Sequence, residues 1–496
     1  MKFRHFFLGL MVILLTTSCH QERQPGEEEI TQIAKEAYIY GYPMIGLYGD
    51  MYIRAIDRDG RRFLKPFNEL AWRSIYDPVT VYKAETVGNM DEEPLPDMEP
   101  VQTIRSGGAQ SGMAYGSVWF DLKNEPCVLR VPGTLAGRYF SIQFVDLFSN
   151  TFDYISNRRD GNRGGRYLIA SSSWKGQKPS GIDRFIKSRS SYVLGVFRIR
   201  IESSGDLKNV EKLMSRFSIV PLSRYTGTTG QEKMTVVSYP AFSPEKAKTP
   251  EYFAYLNFML QFCSIPQEES DLMKRFARIG IEPGKPFDYA SLSETRKKAL
   301  IDGMAAGQTE LEALARADSG KLNPVYKTEE KTEENYPYRA YMADRYPFGR
   351  SSEEMLAIVY ETEAGRKKLV GRNRYELRFE KDRLPPVDAF WTLTVYSSGK
   401  KPSLKPNSAY ILNSASQILQ LNEDGSLSIP LQQEIPESLK RTNWLSVPSG
   451  PFFVLLQLYQ PREEALKGIW SPPQLRNPDG AGAENRALPS VVVPGT

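Results

Sequence analysis

Arginine, aspartate, tyrosine and tryptophan are the side chains left to do chemistry in this chain, because its two histidines are His5 and His20, both ahead of the first predicted helix. An imidazole-free body excludes Ser-His-Asp and Cys-His nucleophile systems and every metal site built on histidine. Asp121, Asp146 and Asp153 fall in or beside predicted strands. Two such carboxylates on one sheet face could act as general acid and base, as in glycoside hydrolysis. The stronger reading makes them structural, bonded to turns or to Arg138. The loop Asn157-Arg-Arg-Asp-Gly-Asn-Arg-Gly-Gly-Arg166 gathers Arg158, Arg159, Arg163 and Arg166 among glycines. Guanidinium forks pair with carboxylate or sulfate, and glycine lets backbone N–H groups approach an anion. A solvated strand connection is the plainer account of the same loop. Arg138 and these four arginines are the candidate anion ligands, with Trp174 as a candidate sugar-stacking platform. Trp391 and Trp444 alternate like core residues.

Ser-x-x-Lys recurs at Ser172, Ser243, Ser397 and Ser398, scattered enough to be coincidence. No P-loop, Gly-x-Gly-x-x-Gly or Gly-x-Ser-x-Gly element appears between a strand and a helix. Neither a metal nor a cofactor is therefore expected. Cys127 and Cys263 sit among apolar neighbours and read as buried free thiols.

These residues need a scaffold, and its periodicity is legible. Glu27 to Tyr40 reads as a helix with Ile30, Ile33, Ala34, Ala37 and Tyr40 on one face, stopped by Gly41 and Pro43. Short β-branched and aromatic runs follow at Ser117–Leu122, Cys127–Val131, Tyr139–Val145, Tyr167–Ala170 and Tyr192–Ile201. In the last, Val196, Arg198 and Arg200 alternate with Phe197, Ile199 and Ile201. Such spacing predicts an antiparallel sandwich or barrel. Residues 250–318 turn helical, with a capping-box pattern at Ser291 to Glu294. Strands return near Tyr375, with Phe390–Tyr396 and Phe452–Tyr459 the clearest. Asp424-Gly425 reads as a hairpin turn between Leu421 and Leu427.

The N-terminus adds an address. Lys2 and Arg4, an apolar run from Phe6 to Leu15, and Thr16-Thr17-Ser18-Cys19 read as a signal peptide over 1–18, ending at a lipidated Cys19. The cysteine after small residues resembles the lipobox of bacterial lipoproteins. Thr16 departs from the larger aliphatic common at that position, and His20 favours outer over inner membrane. Loss of Lys2 and Arg4 lowers a net charge of only +5, which gives no drive toward nucleic acid. The predicted organisation is a tether over 19–26, an N-terminal domain over 27–245, a helical linker over 246–370, a C-terminal domain over 371–475 and an extended tail over 476–496.

Several stretches resemble a known pairing. Tyr38-Ile-Tyr-Gly-Tyr-Pro43, Asp121-Leu122, Pro126, Val131-Pro132, Arg138-Tyr139, Gln143, Asp146, Gly161, Gly165, Trp174 and Gly176 are similar to the bacterial domain-of-unknown-function family 1254. Ile279–Phe287 looks like the linker of such proteins. Leu384-Pro-Pro, Ala389-Phe-Trp391, Tyr396, Asp424–Leu427, Asn443-Trp-Leu445, Pro448, Gly450-Pro-Phe452, Leu458-Tyr459 and Trp470–Pro473 resemble family 1214. The resemblance implies a mainly β fold, two jelly-roll-like antiparallel β-sandwich domains joined by an α-helical segment, often oligomeric, with no established reaction. Two departures stand out: Gln110–Tyr115 replaces an Asn-x-Asp-Thr-x-Tyr pattern, and Gln457 stands where an Arg is common.

Three functions fit. The first is an envelope lipoprotein, held to the bilayer by acylated Cys19, that binds an extracellular or periplasmic small molecule or anionic glycan. The second is a hydrolase or lyase using carboxylate or Tyr/Arg chemistry. The third is a structural envelope homo-oligomer.

Overall fold

In the computed structural model the chain is described over residues 24–75, 112–134, 137–228, 235–318, 335–345, 349–364, 367–397, 410–415, 419–436 and 443–479. The signal region with Cys19, Gln110, Ser398 and the tail from residue 480 onward lie outside those residues.

The alternating runs form a first sandwich. One sheet has the order β1 (Ala71–Ile75), β2 (Met113–Asp121), β8 (Tyr192–Arg200), β4 (Phe140–Val145) and β5 (Thr151–Ser156), all antiparallel. The facing sheet runs β7 (Arg184–Ser188), β6 (Gly165–Ser171), β3 (Cys127–Val131) and β9 (Ser218–Pro221), with β6 and β7 parallel. Val118, Phe120, Leu129, Phe140, Ile142, Phe144, Ile169, Phe197 and Ile199 fill the space between them.

A second sandwich follows the helical stretch. Its larger sheet has the order β10 (Met355–Tyr360), β15 (Phe452–Pro461), β12 (Val387–Ser397) and β13 (Ile411–Asn413), and β11 (Tyr375–Phe379) pairs with β14 (Leu427–Leu431). Leu377, Trp391, Leu393, Ile429, Val454 and Leu456 make its core. The described sheets are open, so the sandwich reading holds and the barrel reading does not. The structure is sheet-rich, with helices between the strands.

Helix α1 (Glu27–Met51) packs with α3 (Tyr252–Leu260), α4 (Ser270–Ala277), α5 (Glu294–Asp318) and α6 (Tyr336–Arg345); α2 (Leu207–Met214) closes the first sandwich. No helix among the described residues is long and apolar enough to cross a membrane.

The expected stop at Gly41 and Pro43 is overturned, since α1 continues to Met51 with Pro43 inside it. Tertiary contacts override the local breaker. Tyr252 Oη donates to the Tyr38 carbonyl at 2.8 Å, and Leu256 presses against Gly41, where a Cβ would lie 2.8 Å from Leu256 Cδ1. Asp424-Gly425 does form a turn, closed by Gly425 N to the Asn422 carbonyl at 2.9 Å. It does not join two paired strands, because β14 pairs with β11, about fifty residues upstream. At the start of α5 the cap is Ser293, whose Oγ accepts from Arg296 N at 3.3 Å, rather than Ser291.

Helices α1 and α5 meet through small residues: a Cβ at Gly303 would sit 2.5 Å from the Thr31 carbonyl oxygen and 2.6 Å from Ala34 Cβ. Because the obstacle is backbone, Gly303→Ala must push the helices apart at a cost of about 1–3 kcal/mol. The urea midpoint should fall with an unchanged slope; an unaltered midpoint would show that this crossing is loose enough to take a methyl group.

Candidate functional site between the two sandwiches

The outward face of the five-stranded sheet has two covers. Trp119, Val145, Tyr192 and Leu194 at one end join the helical core. At the other end Met113, Tyr115 and Tyr139 meet Met355, Phe390, Tyr396, Phe453, Leu455 and Tyr459 of the second sandwich. Strand alternation puts Arg198 and Arg200 at that second end, because Phe197 and Ile199 take the inner face. Register places Tyr115, Arg198, Ser141 and Ser156 in a row across β2, β8, β4 and β5. The result is a polar layer between two sheets.

The segment leading into β10 is stitched to this row. Gln143 Nε2 donates to the Gly349 carbonyl at 2.7 Å, and Ser351 N donates to Tyr154 Oη at 2.8 Å. Ser156 Oγ and Arg158 Nε both donate to Glu354 Oε1 at 2.9 Å. Gln460 Nε2 donates to Asn157 Oδ1 at 2.8 Å from β15. Tyr459 stacks on Phe390 with centroids 4.3 Å apart, and the Arg350 guanidinium lies 5.3 Å from the Tyr459 ring.

Electrostatics at this face are unusual. Arg198 is 4% exposed, and among the described residues no hydrogen bond reaches its Nε or Nη1. Burial lowers its pKa, and the nearby Arg350 adds to the shift, opposed by Tyr115, Tyr139 and Tyr154. Glu354 is fully buried; burial raises its carboxyl above the ordinary range, against the pull of Arg158 and Ser156. Its Oε2 and the Tyr459 hydroxyl also have no hydrogen-bond partner among the described residues. Burial pushes Tyr154 up to about 12 and Tyr139 higher still. A carboxyl with a raised pKa can hold a proton near neutrality, and a guanidinium cannot lose one.

The residues picked out from sequence are dispersed. Asp121 pairs with Lys123 at the end of β2, and Asp153 is held by Arg159 and by Arg184 at 2.7 Å. Asp146 sits in the β4–β5 turn and accepts from Phe148 N and Asn150 N, each at 2.9 Å. Each aspartate has its own partners, so the three form no shared site. Arg138 is buried and bidentate to Asp206 at 2.6 and 2.9 Å. Arg163 and Arg166 are exposed, and Trp174 is half-buried with its edge to Phe185. Arg158 alone of the loop arginines engages the interdomain wall. Arg198, Glu354, Tyr154 and Tyr459 were not singled out from sequence. The alternating arginines of β8 were the available signal. The described parts of both departures lie here too: Tyr115 beside Arg198, and Gln457, buried, against Met355 and Thr392. Among the described residues no group of three His, Cys, Asp or Glu could hold a metal ion.

Comparison with known proteins agrees with the two-part architecture. Residues 98–221 match the family described as Protein of unknown function (DUF1254), and residues 354–463 match Protein of unknown function (DUF1214). The two stand in the order that the residue resemblance implied. The fold is similar to the crystal structure of the VPA0106 protein from Vibrio parahaemolyticus, with TM-score 0.68 and 22% identity, covering 90% of this chain and 99% of that one. An uncharacterized protein from Burkholderia cenocepacia aligns with TM-score 0.40 and 10% identity, covering 91% of this chain and 92% of that one. No curated protein matches the chain.

Asp146 offers a test of these electrostatics. Burial raises its carboxyl to about 6, against backbone N–H groups, Arg189 and Arg339. A raised acid binds its proton more tightly when folded, so its stabilising contribution is complete below about pH 4 and is lost as pH rises through 6. The loss is about 3 kcal/mol, since each tenfold gain in proton affinity is worth roughly 1.4 kcal/mol. Asp146→Asn should flatten urea stability between pH 4 and 7 relative to the parent. Parallel profiles would mean that the carboxyl titrates normally.

Proposed function

We propose that this chain is an envelope lipoprotein, tethered through acylated Cys19 and favouring the outer membrane, that binds an extracellular or periplasmic small molecule or glycan between its two sandwiches. The observation that carries the binding part is the polar layer between the sheets, in which Arg198 Nε and Nη1, Glu354 Oε2 and Tyr459 Oη have no hydrogen-bond partner among the described residues, in a place where two sheets could have met through apolar side chains alone. Polar groups buried without partners cost stability, so natural proteins keep them where they do other work. Recognition sites also favour junctions between domains. The short spacing from Cys19 to α1 at Glu27 would hold the helical end of the body near the bilayer.

A second reading rests on Glu354. A buried carboxyl with a raised pKa, beside Tyr139 and Tyr154, suits a general acid. In that case the protein would be a hydrolase or lyase acting on the bound compound.

Changing Cys19→Ser should move the protein from the membrane pellet to the soluble fraction of an envelope preparation. An unchanged distribution rules out the lipid anchor. For the binding part, the purified protein can be screened against neutral sugars, sugar acids and organic acids by thermal shift, with hydrogen exchange used to map each hit. Protection should concentrate in 139–156, 349–355 and 452–461. Protection confined to other segments would move the site away from the sandwich junction.

A further inference from the structure

We infer that the outer face of the β7-β6-β3-β9 sheet, away from the junction, is a docking surface for an acidic polysaccharide, held by Arg130, Arg163, Arg166 and Arg216.

The distribution of charge points there first. Between residues 122 and 228 stand eighteen Lys and Arg against eight Asp and Glu, an excess of ten on a chain whose net charge is +5, so the remainder is acidic. Such asymmetry marks a surface for an anionic partner. Arg138, Arg158 and Arg184 of this region are paired with Asp206, Glu354 and Asp153. Arg130, Arg163, Arg166 and Arg216 are exposed and have no ion pair among the described residues. The surface cations of the helical layer differ: Lys35, Lys274, Arg275, Lys297 and Lys298 each hold a carboxylate at 2.5 to 2.9 Å.

Strand register brings the four together. Cys127, Leu129 and Val131 of β3 face the core between the sheets, so Val128 and Arg130 face out. Arg130 stands directly opposite Arg166 on β6 and, on its other side, opposite Ser218 on β9. Residues opposed in this way have Cα atoms about 4.5–5.5 Å apart. Like charges so placed weaken a sheet unless an anion joins them. Arg163 is held close by, since a Cβ on Gly133 would lie 2.9 Å from the Arg163 carbonyl oxygen. Arg216 comes two residues ahead of Ser218. Asp183, in the connection between β6 and β7, accepts from the Arg166 backbone N–H at 2.7 Å and forms no ion pair with the four guanidiniums.

Shape and chemistry select the occupant. The neighbouring outward row, Phe185, Leu168, Val128 and Val220, packs with Trp174 and Ile182, which leaves the arginines on an open face beside it. An open face suits an extended chain with repeated negative charges, and guanidinium forks bind carboxylate or sulfate through two parallel hydrogen bonds. None of the large exposed apolar side chains of the described residues lies on β3, β6, β7 or β9, so these strands offer nothing to insert into a bilayer. No ring on those strands is exposed for a nucleic-acid base to stack on.

The test uses the Cys19→Ser protein, which has no acyl anchor to carry it to a surface. Its binding at low salt is measured to polygalacturonate, dextran, duplex DNA, and phosphatidylcholine vesicles containing phosphatidylglycerol. Polygalacturonate should bind at least about tenfold more tightly than each of the others. Arg130→Thr with Arg166→Thr should lower that affinity at least about tenfold. Arg163→Ser with Arg216→Ser, outside the strand ladder, should lower it as well. Lys274→Ser with Arg275→Ser makes the same change in net charge on α4 and should leave the affinity within about twofold. Equal losses from all three double variants would reduce the effect to net charge and overturn the inference. So would binding that neither arginine pair affects. Vesicles or DNA bound as tightly as polygalacturonate would also overturn it, by giving the face a membrane or a nucleic acid instead. Each of these failures leaves the junction reading standing, because the two surfaces share no residue.

Discussion

One sheet face organises this molecule. The five-stranded sheet of the first sandwich has its inner side committed to the partner sheet, and its outer side is largely covered as well. Half of that outer side lies under α1 and its helical neighbours, and half lies under the larger sheet of the second sandwich. Strand β8 runs through both halves. Tyr192 and Leu194 therefore feed an apolar helical core, while Arg198 and Arg200, further along the same strand, enter the space between sandwiches. The period of two leaves β8 no alternative: turning the arginines inward would turn Phe197 and Ile199 outward.

Within the junction, apolar and polar contacts divide the work. Phe390, Tyr459 and Tyr139 make an aromatic cluster with centroid separations of 4.3 to 5.7 Å, enough to hold the sheets in register. The strap from Gly349 to Glu354 adds side-chain bonds to β4, β5 and the short helical turn Asn157–Asp160 after it. Arg200 reaches across to the Ala415 carbonyl at 3.1 Å and stacks over Phe390. Within this frame Arg198, Arg200 and Glu354 each keep a buried polar atom with no hydrogen-bond partner among the described residues, a cost the fold carries.

The chemistry open to such a site follows from its inventory. Without histidine, proton transfer near neutrality falls to a carboxyl raised by burial, and Glu354 has that environment. The tyrosines are shifted the other way for such work, since burial makes Tyr139 and Tyr154 harder to ionise and suits them to donating hydrogen bonds. Catalysis would ask more of Glu354 than its position alone supplies.

Much of the scaffold was legible in the residues. Short β-branched and aromatic runs marked β2, β3, β4, β8, β12 and β15, and β8 alternated as well. The helical stretch after residue 250 followed from its own spacing. The missing histidines bounded the chemistry before any fold was known. Local signals misled where distant contacts outweighed them: Pro43 stayed helical under Tyr252 and Leu256, and the Asp424-Gly425 turn opened onto a strand paired elsewhere. The site was the least legible part. Glu354 gains its partners from Ser156 and Arg158, nearly two hundred residues earlier. The alternation of β8 announced that Arg198 and Phe197 face opposite ways, and that much the sequence determined alone. Which of those faces meets a second sheet, and whether any acceptor waits there for a guanidinium, only the tertiary structure decided, because pairing of charges depends on distances that chain order does not encode.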